Sequence, residues 1–182
     1  MTPITVRQTA EDAKLAFELH THAELDSIRL QKARAKSQPL LEPMRTPIVL
    51  RISHKAKQAQ APEGIVRFEV EFRLAGERET EGSKQGPSPA KAQVILVECT
   101  WELDYRLQKG YQPSPAALKA FKDGNAIFNC WPYFREYLQN TVTRMNLPPL
   151  TVPLLRLLPK PPRKVPTQAQ AVASQSENTS GE

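Results

Sequence analysis

The sequence is poor in glycine, cysteine and histidine, and each shortage excludes a kind of site. Only seven glycines occur in 182 residues, and no glycine-rich phosphate loop, dinucleotide fingerprint or G-x-S-x-G turn is present. His20 and His22 stand two positions apart, which on a helix directs their rings about 200° apart and makes a metal site unfavourable. We therefore expect no metal, no cofactor and no catalysis.

The chain also lacks the sequence features of export and membrane insertion. Its first residues, "MTPITVRQTAED", contain neither the basic nor the apolar region of a secretory signal. No apolar run approaches the roughly 20 residues that span a bilayer. Cys99 and Cys130 have no CxxC spacing and stand in apolar contexts, where free thiols behave as small hydrophobes. These features predict a cytoplasmic protein with reduced thiols and no membrane insertion.

The net charge of +6 raises the question of an anionic partner. The basic residues are scattered, and no aromatic or glycine-rich motif interleaves with them. A solvated basic surface is the preferred interpretation, and we do not expect nucleic acid to be the main partner.

Local patterns predict a helix followed by four strands. Thr9 is a suitable N-cap for a short helix over about residues 10–22. Strands are predicted between about residues 25 and 107, the clearest being residues 66–74, where five apolar positions alternate with four charges. Such alternation is typical of an antiparallel sheet with one buried face.

Two helices are predicted over about residues 115–145. Ser114 and Pro115 open the first of them, and Gly124 is expected to stop it. Asn146 is expected to close the second helix in the left-handed conformation. The order of elements predicts an α+β fold, a four-stranded antiparallel sheet with helices packed on one face. We expect one domain over residues 1–158 and a disordered proline-rich tail over residues 159–182.

Two proline-broken segments carry more apolar residues than a surface connection needs. They cover residues 37–47 and 147–158, and they could cap the core as a strap, support oligomerisation or line an apolar groove for unfolded chain. The candidates for the groove are Leu40, Leu41, Met44, Leu147, Leu150, Val152, Leu154 and Leu155. The apolar face of the second helix is assigned to the core and to an oligomer seam, through Trp131, Phe134, Leu138 and Met145.

The stretch "WPYFREYLQNTVTRMNLPPLTVPLL", residues 131–155, resembles the SecB chaperone family. The family's aromatic-Pro-Tyr-x-Arg-Glu signature is matched by Trp131, Pro132, Tyr133, Arg135 and Glu136. The "LPPLTVPLL" that follows is most similar to the SecB-like chaperones of toxin–antitoxin–chaperone systems. The resemblance extends, weakly in the strands, over about residues 12–158.

This resemblance implies a homotetramer, formed as a dimer of dimers. First strands would pair within each dimer, and the long helices would pack between dimers. It also implies an ATP-independent chaperone, or holdase, whose apolar grooves hold unfolded polypeptide, either an antitoxin or an export client. Export members contact the translocation ATPase through acidic residues on the sheet. Here one sheet face reads Arg67, Glu69, Glu71 and Arg73, so the ATPase is a doubtful partner. The rival hypothesis is an oligomeric adaptor or nucleic-acid-associated protein that uses the basic patches.

Overall fold

The computed structural model describes residues 4–38, 48–79 and 91–160. Four long strands form an antiparallel sheet: β2 (Ala23–Ser37), β3 (Val49–Ala59), β4 (Ile65–Glu79) and β5 (Lys91–Leu107). Their order is β2-β5-β4-β3, which places β2 and β3 at the two edges. The predicted four-stranded antiparallel sheet is confirmed.

Helices cover one face of this sheet, as predicted. The apolar residues of β4 and β5 point towards them, and Phe68, Phe72, Leu74, Val97 and Leu103 are fully buried. The ring of Phe72 stacks on that of Phe134 at 4.6 Å, and the ring of Phe68 stacks on that of Phe121 at 5.8 Å. The strict alternation in β4 therefore separates an aromatic core from a charged outer face.

Helix α1 (Ala10–His22) begins and ends where the sequence predicts. Thr9 and Asp12 form a capping box: the Thr9 hydroxyl accepts from the Asp12 amide at 3.0 Å, and the Asp12 carboxylate accepts from the Thr9 amide at 3.2 Å. The Thr9 hydrogen bonds lower the pKa of Asp12, because they favour its charged form.

The prediction that Gly124 stops a helix is wrong. Helix α2 (Pro115–Phe121) continues through a π-helical turn, Lys122–Ala126, directly into α3 (Ile127–Arg144). Gly124 is buried under Gln8, whose amide nitrogen would lie 2.1 Å from a Cβ at this position. The glycine therefore provides space for a neighbour, not a helix end. Pro132 consequently lies well inside a continuous helix, and Asn146 follows its end with φ 55°, as predicted.

A pair of short parallel strands was not predicted. β1 (Ile4–Gln8) pairs with β6 (Leu155–Pro159), so the leucine-rich segment ends as a strand. Val6 and Leu155 are buried between this pair and the core. Five-residue strands give too short an alternation to recognise, and their partners lie some 150 positions apart. Residues 161–182, which hold most of the tail predicted to be disordered, lie outside the described residues.

Candidate functional site

An open cavity of about 1040 Å³ lies along the outer edge of β3. One wall consists of seven consecutive residues, Ile48 to His54. The other wall is formed by Ile4 and Thr5 of β1 and by Leu150 and Thr151 of the leucine-rich segment. We call this cavity the β3 groove.

The position of the groove follows from the way β3 lines it. Successive side chains of a strand point to opposite faces of the sheet. A cavity lined by seven consecutive residues must therefore lie against the strand's edge and not against one of its faces. β4 pairs with the other edge of β3, and among the described residues no strand pairs with this one. The groove thus exposes main-chain hydrogen-bonding groups as well as side chains.

Two residues of the helix signature fix the wall that contains Leu150. The indole N–H of Trp131 donates to the Pro153 carbonyl, and the Arg135 Nε donates to the Val152 carbonyl, both at 3.1 Å. Val152 is itself buried. A proline-rich segment has few amides with which to form regular structure, so these side chains hold it through its carbonyl oxygens. The sequence analysis matched both residues to a family motif but did not predict this role.

The lining of the groove is mixed: six of its eleven described residues are apolar, and Arg51 adds one cation. Ile48, Leu50 and Ile52 are partly buried against the core, and Arg51 is exposed on the opposite face of the strand. Burial lowers the pKa of His54, so its imidazole is neutral at physiological pH. Within the part of the chain that the structure describes, no acidic side chain lines the groove.

Of the predicted groove residues that the structure describes, only some line the β3 groove. Leu150 lines the groove, whereas Leu154 is 66% exposed and does not. Val152 and Leu155 are not accessible in an open groove, because both are buried in the core of the same chain. Leu147 packs partly against that core. Leu40, Leu41 and Met44 lie outside the described residues. The contributions of β1 and β3 were not predicted.

The residues assigned to core and seam are largely covered within one chain. Trp131, Phe134 and Leu138 are buried, and Met145 packs partly against them. The oligomer seam itself stays a prediction.

The outer face of the sheet carries acidic residues that are paired with cations. Asp104 accepts two hydrogen bonds from Arg67, at 2.6 and 2.8 Å, and this contact lowers the pKa of Asp104. Glu102 pairs with Arg29 across β2 and β5, and Lys57 lies 2.9 Å from Glu69. This surface therefore carries a network of ion pairs and is not an acidic patch.

The described residues offer little for metal or thiol chemistry. No three of their His, Cys, Asp or Glu side chains come together as a metal site. Cys99 and Cys130 are free and buried, and burial raises the pKa of Cys99 to about 11. Within the same part of the chain, no helix has both the length and the apolarity to cross a bilayer.

Comparisons with known proteins find that the chain is similar to chaperones. No protein-family model matches it. The SecB-like chaperone Rv1957 of Mycobacterium tuberculosis strain H37Rv is 26% identical over 162 residues, which cover 84% of this chain and 90% of the relative. The SecB-like chaperone MT2006 of strain CDC 1551 matches to the same extent. The chain is similar to SecB-like chaperones over most of its length. The resemblance drawn from the helix signature is confirmed.

A solved structure supports the same fold. Rv1957, in complex with a ChAD peptide from the HigA1 antitoxin, superposes with a TM-score of 0.59 at 20% identity. The match covers 80% of this chain and 99% of that one. The match agrees with the predicted α+β architecture, which is confirmed.

Proposed function

We propose that this protein is an ATP-independent chaperone that holds non-native polypeptide in the β3 groove. The observation that carries the proposal is an open, partly apolar cavity along an edge of β3 that pairs with no other described strand, on a fold shared with SecB-like chaperones. Binding needs no chemical step, since a client gains free energy by covering its apolar side chains. That gain is about 25 cal/mol for each Å² buried, less the cost of ordering the client.

The proposed client is an antitoxin. Two named relatives are SecB-like chaperones, and the solved neighbour is in complex with a peptide of the HigA1 antitoxin. Antitoxins that need a chaperone must expose aggregation-prone segments, and an apolar groove covers such segments.

We further propose a cytoplasmic homotetramer. β2 is the other edge strand of the sheet, and it is exposed over most of its length, which suits pairing with a second copy. Several grooves in one particle would bind one long client with higher avidity. Two free buried thiols fit a reducing compartment.

The translocation ATPase remains a doubtful partner for a physical reason. Glu102 and Asp104 are nearly buried, and both are engaged by arginines. An ATPase that requires free carboxylates would have to break these pairs before it could dock.

The proposal is tested by suppression of aggregation of a chemically denatured protein, measured without ATP at low and high salt. We expect salt-insensitive suppression below one client per chain and a particle of about four chains by light scattering. The rival hypothesis, binding of nucleic acid through basic residues, predicts binding that weakens steeply as salt rises. A monomer that suppresses nothing would refute the chaperone proposal.

A further inference from the structure

We propose that Gln8 and the π-helical turn Lys122–Ala126 set the width of the β3 groove, and that Gln8 is a positioning residue for client binding. Gln8 does not line the groove; it acts through Ile4 and Thr5, the residues of β1 that do. This inference rests on the proposed function and names a contact on which the client affinity of the groove depends.

The two strands that line the groove have no ladder of their own to hold them at a fixed distance. β3 pairs with β4 in the large sheet, and β1 pairs with β6 in a separate two-stranded sheet, so no strand pairing among the described residues joins β1 to β3. Both β1 and β3 contact the π-helical turn, whose Gly124 and Ala126 are buried. The separation of the two strands therefore depends on this shared support.

Gln8 fastens the end of β1 to the support. Its side-chain amide donates to the Ala120 carbonyl at 3.0 Å, and its main-chain carbonyl accepts from the Lys160 amide at 2.6 Å, directly after β6. One residue thus ties the pair of short strands to the helical layer. Thr5 and Ile4 lie about 10 to 14 Å further along the strand, at roughly 3.4 Å per residue. Because paired strands move together, a shift at Gln8 would tilt the wall that contains both residues.

The turn is unfavourable by itself, which indicates a role for the contact that it makes. A glycine inside a helix is less favourable than an alanine, and a π-helical turn is a rare interruption of the α-helix. A Cβ at Gly124 would lie 2.1 Å from the Gln8 amide nitrogen and 2.6 Å from its Cδ. The glycine therefore admits the Gln8 side chain at the point where the helix is irregular. Such irregularities are frequent at functional sites.

Loss of the Gln8 contact should loosen the β1 wall and weaken client binding. Val6 is the one residue of β1 that is fully buried, so the strand has little else to hold it in place. A gap of roughly 0.5 to 1 Å between apolar atoms removes about a quarter to a half of their attraction. A client in contact with Ile4 should therefore bind about threefold to tenfold more weakly once the wall can move.

The test compares three variants of the full chain with the unaltered protein. Gln8→Ala removes the contact. The double variant Gln8→Ala/Gly124→Ala also lacks it but gains helix propensity, so it should regain stability without regaining the contact. The control Asn129→Ala loses a hydrogen bond that is likewise partly buried, from Asn129 to the Tyr105 hydroxyl at 3.0 Å, and neither residue lines the groove.

Each variant is measured in three ways. Chemical denaturation gives the free energy of unfolding. Fluorescence anisotropy gives the Kd for labelled α-lactalbumin that has been reduced and carboxymethylated, so that it stays unfolded without denaturant. Electron spin resonance between labels at Arg7→Cys and Lys55→Cys gives the distance from β1 to β3, since both positions are exposed and neither lines the groove. Labelled chains are diluted with unlabelled ones so that only distances within one chain are recorded.

We expect Gln8→Ala to broaden or shift the distance distribution and to raise Kd about threefold to tenfold. The double variant should show the same two changes although it is more stable than Gln8→Ala. Asn129→Ala should lose stability but keep the distance distribution and a Kd within about twofold of the unaltered protein. If Gln8→Ala alone is too unstable to fold, the double variant supplies a folded protein without the contact.

The inference is overturned if either Kd or the distance distribution is unchanged by the loss of Gln8, or if Kd follows stability across the three variants. Failure of the proposed function gives a different result. If the unaltered protein does not bind the unfolded α-lactalbumin and suppresses no aggregation, the chaperone proposal itself is wrong. Binding that is present in the unaltered protein and intact in Gln8→Ala refutes the positioning role alone.

Discussion

Leu150 and Leu154 offer a matched test of where clients bind. Both lie in the proline-rich segment after α3, and both were predicted from the sequence to line a groove. The structure places Leu150 in the wall of the β3 groove and leaves Leu154 two-thirds exposed outside it. Substitution of each by alanine removes the same atoms from the same segment, so a difference between the variants reports on position alone.

The expected effect of Leu150→Ala follows from the burial of its side chain. The change removes three carbon groups, each worth about 0.8 kcal/mol when fully buried. Leu150 already packs partly on the core, so a client would cover only the remainder. We therefore expect a loss of about 1 kcal/mol in client binding, which is roughly fivefold in Kd. A similar loss in the free energy of unfolding should accompany it. Leu154→Ala should change Kd by less than twofold and the free energy of unfolding by less than about 0.4 kcal/mol.

The assay is titration of a labelled, denatured client against each variant, with thermal unfolding as the control for folding. Client concentrations are kept below those at which it aggregates, so that Kd and not solubility is measured. Equal loss of affinity in both variants would refute the position of the groove. So would a larger loss in Leu154→Ala, because the exposed leucine would then be the contact.

Three further predictions concern stability and reactivity. Gly124→Ala should lower the free energy of unfolding by about 1 kcal/mol, because Gln8 would lose its 3.0 Å hydrogen bond to the Ala120 carbonyl. In a Gln8→Ala background the same change should be stabilising, because alanine favours the helix more than glycine does. A double-mutant cycle measured by chemical denaturation would check both expectations. Asp104→Asn should lower the free energy of unfolding at pH 7 by about 1 to 3 kcal/mol. Because the pKa of Asp104 is lowered in the folded state, its carboxylate stabilises the fold above pH 3.8, and this stabilisation is lost as the pH falls through the lower, folded-state pKa. Urea titrations of the two proteins should therefore converge only below pH 3.8. Cys99 and Cys130 should react with a disulfide-exchange reagent at pH 8 only when the chain opens, because both thiols are buried with raised pKa; fast reaction in the native protein would contradict their burial.

Elements with a regular local sequence pattern could be predicted from the sequence. The alternation of β4 and the capping pattern at Thr9 are local, and the structure follows both. The helix signature, Trp131 to Glu136, predicted the similarity to SecB-like chaperones, although the strands carry little of the resemblance. Its physical role became visible only in three dimensions, where Trp131 and Arg135 hold carbonyls some twenty positions further along the chain.

The groove could be predicted only in part, because the wall opposite β3 depends on contacts distant in sequence. β1 is positioned by its pairing with β6, and the five-residue sequence of β1 contains no pattern that predicts this partner. Gly124 was misread for a similar reason. Its local signal is that of a helix end, but Gln8, more than a hundred positions earlier, occupies the space a side chain would need. Apolar residues in the proline-rich segment could be recognised, but not which of them face the core.

Site-specific photo-crosslinking tests most directly whether clients occupy the β3 groove. A photoreactive residue is placed at Ile52, at Leu150 or at Phe17, an apolar residue of α1 that is 65% exposed and does not line the groove. Each folded variant is mixed with a denatured client and irradiated without ATP. We predict crosslinks to the client from Ile52 and Leu150 and few from Phe17. Equal yields at all three positions, or crosslinks from Phe17 alone while aggregation is still suppressed, would contradict a client site in the groove.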